Sequence, residues 1–186
     1  MEDDSWASET AGRLLDVTSA RYAHTCRVAR QAASVCHLLP DPWRSVLVEA
    51  AWLHDIGYSP LLVETGFHPL DGARWLRARA RSPEVCSLVA WHTRAHTEAR
   101  MRGLEDALVA EFVAPPPAAQ AALTWADLTS SPMGERWAPE TRISEILRRY
   151  GPATVVHQAT LANEVELLED VRSVALRIAE LPGDSP

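Results

Sequence analysis

The stretch EAAWLHDIG, residues 49–57, decides how this chain is read. It joins an apolar helical run to a histidine and an aspartate side by side, His54 and Asp55, and then to a glycine that can end the helix. An ionised carboxylate next to an imidazole is costly to bury unless something positive lies close by. A divalent cation would satisfy both groups, and the partial negative charge of a helix C-terminus favours a cation there. Taken alone, the dipeptide also suits a plain capped helix end, so its company in the chain decides.

Working outward, RYAHTCRVA (21–29) puts His24 on the polar edge of a helix that otherwise packs inward. HPLDGARWL (68–76) places His68 at a helix start, and VAWHTRA (89–95) places His92 after an apolar run. TWADLTS (124–130) ends another apolar run on Asp127. Apolar helices that each carry or end in an imidazole or carboxylate are the pattern of a buried metal site, because these donors suit Fe, Mn, Co, Ni or Zn. Helical periodicity continues over nearly the whole chain, near 9–17, 19–38, 42–56, 69–80, 83–93, part of 95–112, 118–128, 141–150 and 153–181. Loops fall at 57–67 and 130–139, where proline and glycine punctuate the sequence. No alternating strand pattern of useful length intervenes, so the expected fold class is all-α. The expected organisation is an acidic tail (1–8), one helical domain (9–150), an amphipathic C-terminal helix (151–181) packed on it, and a short tail (182–186). That last helix also has the apolar spacing of a lid or dimer face, so a homo-oligomer is possible.

The ordered set H…HD…H…H…D resembles the HD-domain superfamily of metal-dependent phosphohydrolases, over roughly residues 18–135. Within it the chain looks like the dinuclear branch that includes bacterial diadenosine-tetraphosphate hydrolases, with RYAHT and WHT as the nearest points of contact. The resemblance implies a helical bundle around a central metal site holding two divalent transition-metal ions. Carried over residue by residue, His24, His54, Asp55 and Asp127 would hold the first ion. Asp55 would bridge to a second, completed by His68 and His92. The implied activity is hydrolysis of a phosphomonoester or phosphodiester of a small, nucleotide-like molecule by hydroxide activated on the ions. The sequence departs from the pattern at Tyr58, where many members carry a lysine after HDIG. That departure keeps open a mixed-valent di-iron oxygenase of the same superfamily; a separate alternative is a nucleotide-sensing module without turnover, against which the complete ligand set argues.

Phosphoryl chemistry also needs positive groups around the non-bridging oxygens. The chain has no lysine, and all 18 of its basic residues are arginines, so any phosphate clamp must be built from guanidinium groups. The candidates are Arg21, three residues before His24, and Arg94, two after His92, with Arg27 and Arg74 behind them. Asp71, one turn past His68, is a candidate to orient that ring or move a proton, though it is equally placed as a first-turn carboxylate. His96 is read as a polar helix end, and His37 and His157 as structural. Trp52, Trp75, Trp91 and Trp125 are read as packing rather than as a wall for a nucleobase. The net charge of −7 argues against long nucleic acid or an anionic membrane as the main partner. Cys26, Cys36 and Cys86 show no metal-type spacing and are read as reduced core residues. No apolar run reaches the 18 residues of a span, and the acidic start has no apolar leader segment, so a cytoplasmic location is expected.

Overall fold

The apolar run that ends at His54 forms the central helix of a computed structural model describing residues 2–180. This helix, α3 (Trp43–Leu53), buries Leu47, Ala50, Ala51 and Leu53 completely. Each buried leucine contributes about 1.5–3 kcal/mol of transfer free energy, and the alanines let neighbouring backbones approach closely. Around α3 pack α1 (Glu2–Leu15), α2 (Ala20–Val35), α5 (Pro83–Trp91) and α8 (Pro117–Leu128). Helix α4 (His68–Arg77) lies against α5, while α6 (Ala95–Met101) and α7 (Glu105–Glu111) follow in a tight hairpin. Last come α9 (Pro139–Tyr150), α10 (Val155–Ala162) and α11 (Glu164–Ala179), with α11 packed on α8.

The all-α expectation holds: among the described residues there is no strand, only an isolated bridge between Ser130 and Arg136. Local chemistry sets the helix ends. Ser19 caps α2 by accepting from the Tyr22 amide at 3.0 Å, and Ser82, followed by Pro83, caps α5. No helix among the described residues is long and apolar enough to cross a membrane.

Several boundaries differ from the sequence reading. Residues 2–8 are not a tail but the first half of α1, where Ala7 is fully buried and Trp6 packs on the core. Acidic composition hid one apolar face. The expected C-terminal helix is broken at Asn163, which closes α10 and opens α11. Its side chain leaves the helical pattern to join α6, accepting from Thr97 Oγ1 at 2.7 Å and donating to the Arg94 carbonyl at 3.2 Å. The expected tail at 182–186 lies outside the described residues.

Candidate metal centre

Helix α3 stops at Leu53, and His54 and Asp55 sit just beyond it rather than within it. His54 Nδ1 lies 2.8 Å from the Ala51 carbonyl. A carbonyl can only accept, so Nδ1 carries the proton and Nε2 presents its lone pair. The same device recurs twice. His92 Nδ1 donates to the Val89 carbonyl at 2.6 Å, and His24 Nδ1 to the Ser131 carbonyl at 3.1 Å. Three rings on three elements are thus locked in one tautomer by backbone.

The free nitrogens meet two carboxylates. His24, His54 and Asp127 form one triad and Asp55, His68 and His92 another, and the ligand atoms within each lie inside 4.8 Å of one another. Asp55 Oδ1 joins the two groups, 3.6 Å from His54 Nε2 and 3.5 Å from His68 Nε2. Its other oxygen accepts from Arg21 at 2.6 Å. His68 Nε2 and His92 Nε2 face each other at 3.2 Å. His24 Nε2 is 3.0 Å from Asp127 Oδ1 but not in hydrogen-bond geometry, consistent with a nitrogen that carries no proton.

Two buried acceptors, His54 Nε2 and Asp127 Oδ1, therefore have no hydrogen-bond donor among the described residues. Leaving such groups unsatisfied costs about 1–3 kcal/mol each. Both belong to the His24–His54–Asp127 triad, and a divalent cation there removes that cost, so this donor set fits a metal ion. The protonation states fit as well. Burial pushes the Asp55 carboxyl upward, but His54, Arg21 and His68 together hold it well below the usual carboxylate range. Burial likewise opposes the Asp127 charge, and His24 and His54 reverse it. Burial drives His54 down and His68 well down from the ordinary imidazole value, against the pull of Asp55. Neutral imidazole and ionised carboxylate are the forms a metal requires.

Tyr58 replaces the expected lysine with a stack. Its ring lies 3.9 Å from the His68 ring at 19°, and the Arg21 guanidinium sits 3.5 Å from the centroid of the same tyrosine ring. Burial, and then the Asp55 charge, push the Tyr58 hydroxyl well above its ordinary value, so it stays protonated. Burial opposes the Arg21 charge, but the Asp55 carboxylate and the neighbouring groups together hold its proton on.

Of the residues singled out in the sequence, Arg21, His24, Asp55, His68, His92 and Asp127 line one cavity, and His54 lies beneath it, fully buried. Arg94 does not line it. The chain enters the left-handed region at Thr93 (φ 50°) and Arg94 (φ 58°), which turns the Arg94 guanidinium onto Asp170 of α11 at 2.6 and 2.8 Å. The same kink delivers a residue the sequence reading missed: Thr93 Oγ1 donates to Asp127 Oδ2 at 2.9 Å. Two successive non-glycine residues in this region are uncommon, and strain of this kind gathers at functional sites. Asp71 is also redirected. Its carboxylate accepts from the backbone amides of Glu64, Thr65 and Gly66 and from the Thr65 hydroxyl, so it ties down the loop before α4 instead of orienting His68. Arg74 is held by Glu111, and Arg27 lies outside the cavity wall. His96 stacks on Trp91 away from the cavity, and none of the tryptophans lines it.

Gly57 does not end α3. It sits in the 3₁₀ turn Ile56–Tyr58, where an added Cβ would fall 2.0 Å from the His68 carbonyl oxygen and 2.8 Å from the Gly72 nitrogen. Glycine is required because α4 crosses that turn in backbone contact, and this crossing carries His68 to Asp55.

No curated protein and no solved structure gives a match to this chain. The HD domain family model matches residues 21–130, from the arginine ahead of His24 to just past Asp127 and across every residue of both triads. That span exceeds half of the chain, which therefore belongs to the HD-domain superfamily of metal-dependent phosphohydrolases.

Proposed function

We propose that the protein is a dinuclear phosphohydrolase acting on a phosphomonoester or phosphodiester of a small, nucleotide-like substrate. His24, His54 and Asp127 would hold one divalent ion, His68 and His92 the other, with Asp55 shared between them. The observation that carries this reading is the pair of triads joined through Asp55 Oδ1, with three imidazoles fixed by backbone carbonyls to offer Nε2 inward. When bound, such ions lower the pKa of water and act as Lewis acids toward phosphoryl oxygens. The chain's own groups then have separate tasks. Arg21 fixes Asp55 Oδ2, so that Oδ1 is the oxygen presented between the triads. Thr93 does the same for Asp127. The Tyr58 ring holds His68 in plane and covers that side of the centre with an apolar face.

The test is a panel of nucleotides, dinucleoside polyphosphates and cyclic nucleotides with protein loaded with Mn, Co, Ni or Fe. Hydrolysis of at least one class under anaerobic conditions is expected. Protein that demonstrably holds two ions yet hydrolyses none, or turns over only with iron and dioxygen, contradicts the proposal. Asp55→Ala should abolish metal content and activity together, because both triads share that carboxylate, while His54→Ala and His68→Ala should each empty one position preferentially.

A further inference from the structure

The three histidines fixed by backbone carbonyls are not held alike. His54 and His92 each donate to a carbonyl three residues earlier, on the helix that leads into them. His24 donates instead to Ser131, 107 residues away. Ser131 lies one residue past the span that the HD domain model matches and four past Asp127. The segment that delivers Asp127 therefore also delivers the acceptor for His24. Ser131 is fully buried and closes a tight turn. Its amide donates to the Glu135 carbonyl at 2.8 Å, and its hydroxyl accepts from the Met133 and Glu135 amides at 3.2 and 2.9 Å. Its carbonyl oxygen is shared between the Gly134 amide, at 3.1 Å, and His24 Nδ1, so the shape of the turn sets the direction of the ring. Gly134 seats this turn on α2. Its φ of 82° lies in the left-handed region, and an added Cβ would fall 2.7 Å from the carbonyl oxygen of Ala23, the residue before His24.

We propose that Ser131 and Gly134 are positioning residues for His24, and that their turn sets how tightly the His24–His54–Asp127 triad holds its ion while leaving the Asp55–His68–His92 triad unaffected. The inference rests on the metal-centre part of the phosphohydrolase reading and not on turnover. An imidazole binds an ion through the nitrogen opposite the one that donates, so the partner that fixes Nδ1–H also fixes the direction of Nε2. For His54 and His92 that partner comes from the adjoining helix. For His24 it comes from a turn whose own side chains bind no ion, so one triad can be tuned without touching a ligand.

The experiment is calorimetric titration with Mn of two single-ion parents. His68→Ala leaves the His24 position to be read, and His54→Ala leaves the other. Into each parent go Ser131→Ala, which removes both hydroxyl contacts, Ser131→Thr, which keeps a hydroxyl, and Gly134→Ala, which lifts the turn off Ala23. Thermal unfolding of the metal-free proteins is followed alongside. In the His68→Ala parent, Ser131→Ala and Gly134→Ala are each expected to weaken Mn at least about tenfold, the usual effect of losing a partner behind a metal-bound histidine. Ser131→Thr should recover most of that loss. In the His54→Ala parent all three should leave Mn affinity unchanged. A turn that only stabilises the fold would lower the unfolding temperature and weaken Mn in both parents alike, or in neither. Either pattern overturns the positioning role, as does a loss that Ser131→Thr does not recover, or a His68→Ala parent that binds no Mn. Dependence on the turn confined to the His68→Ala parent, with no phosphate ester hydrolysed by the wild type, keeps the positioning role and removes the hydrolase reading. Hydrolysis by the wild type with Mn affinity indifferent to the turn does the reverse.

Discussion

At the scale of single residues, a glycine and a cysteine give the sharpest expectations. Gly57→Ala would drive a Cβ into the His68 carbonyl and the Gly72 nitrogen, both backbone atoms that cannot rotate away. A destabilisation of about 3 kcal/mol in urea unfolding is expected, at the upper end of overpacking costs, together with loss of bound metal as His68 shifts. A neutral effect would mean that α4 does not cross the turn so closely. Burial pushes the Cys86 thiol up to about 11, whereas Cys26 and Cys36, expected in the core, are only half-buried. Iodoacetamide at pH 8 should therefore modify Cys26 and Cys36 in the folded protein and spare Cys86, read by peptide mass mapping. Because the unfolded thiol ionises first, the contribution of Cys86 to stability is lost as pH rises from the ordinary thiol value toward about 11. The six proposed ligands were legible in the sequence because imidazoles and carboxylates stand out against apolar helices. Thr93 was not, because its role depends on a left-handed backbone that no residue type there announces.

The elements were legible to the extent that helical period alone specifies them. Proline and serine marked the start of α5, and the Gly151 turn marked the end of α9. What escaped was decided by tertiary contacts. Asn163 breaks the long C-terminal period because Thr97 and the Arg94 carbonyl satisfy its side chain better than solvent would. Arg94, expected at the phosphate, instead anchors α11 through Asp170, whose carboxylate is largely buried. Arg94→Met should thus cost about 1–3 kcal/mol by leaving a charged acceptor unpaired, while the stoichiometry of bound metal stays that of the wild type. Thermal unfolding and elemental analysis of the same sample check it. Unchanged stability with altered metal content would return Arg94 to the centre.

At the scale of the molecule, α3 is surrounded by helices whose ends converge, and this convergence builds the centre. Order along the chain gave the HD-domain pattern, but not the arginines that α9 brings to its rim, since nothing in ERWAPETRISEILRRY ties that helix to a site a hundred residues upstream. Metal ions that bind only the folded chain must stabilise it by mass action, about 2.7 kcal/mol at a free concentration a hundred times Kd. Chelator treatment should accordingly lower Tm, and Mn should restore it. The most direct measurement is elemental analysis of the wild type, purified without chelator and saturated with Mn, beside His54→Ala. Two joined triads require close to two ions per wild-type chain and about one in the variant, which keeps Asp55, His68 and His92. One ion or none in the wild type, or an unchanged count in His54→Ala, contradicts them.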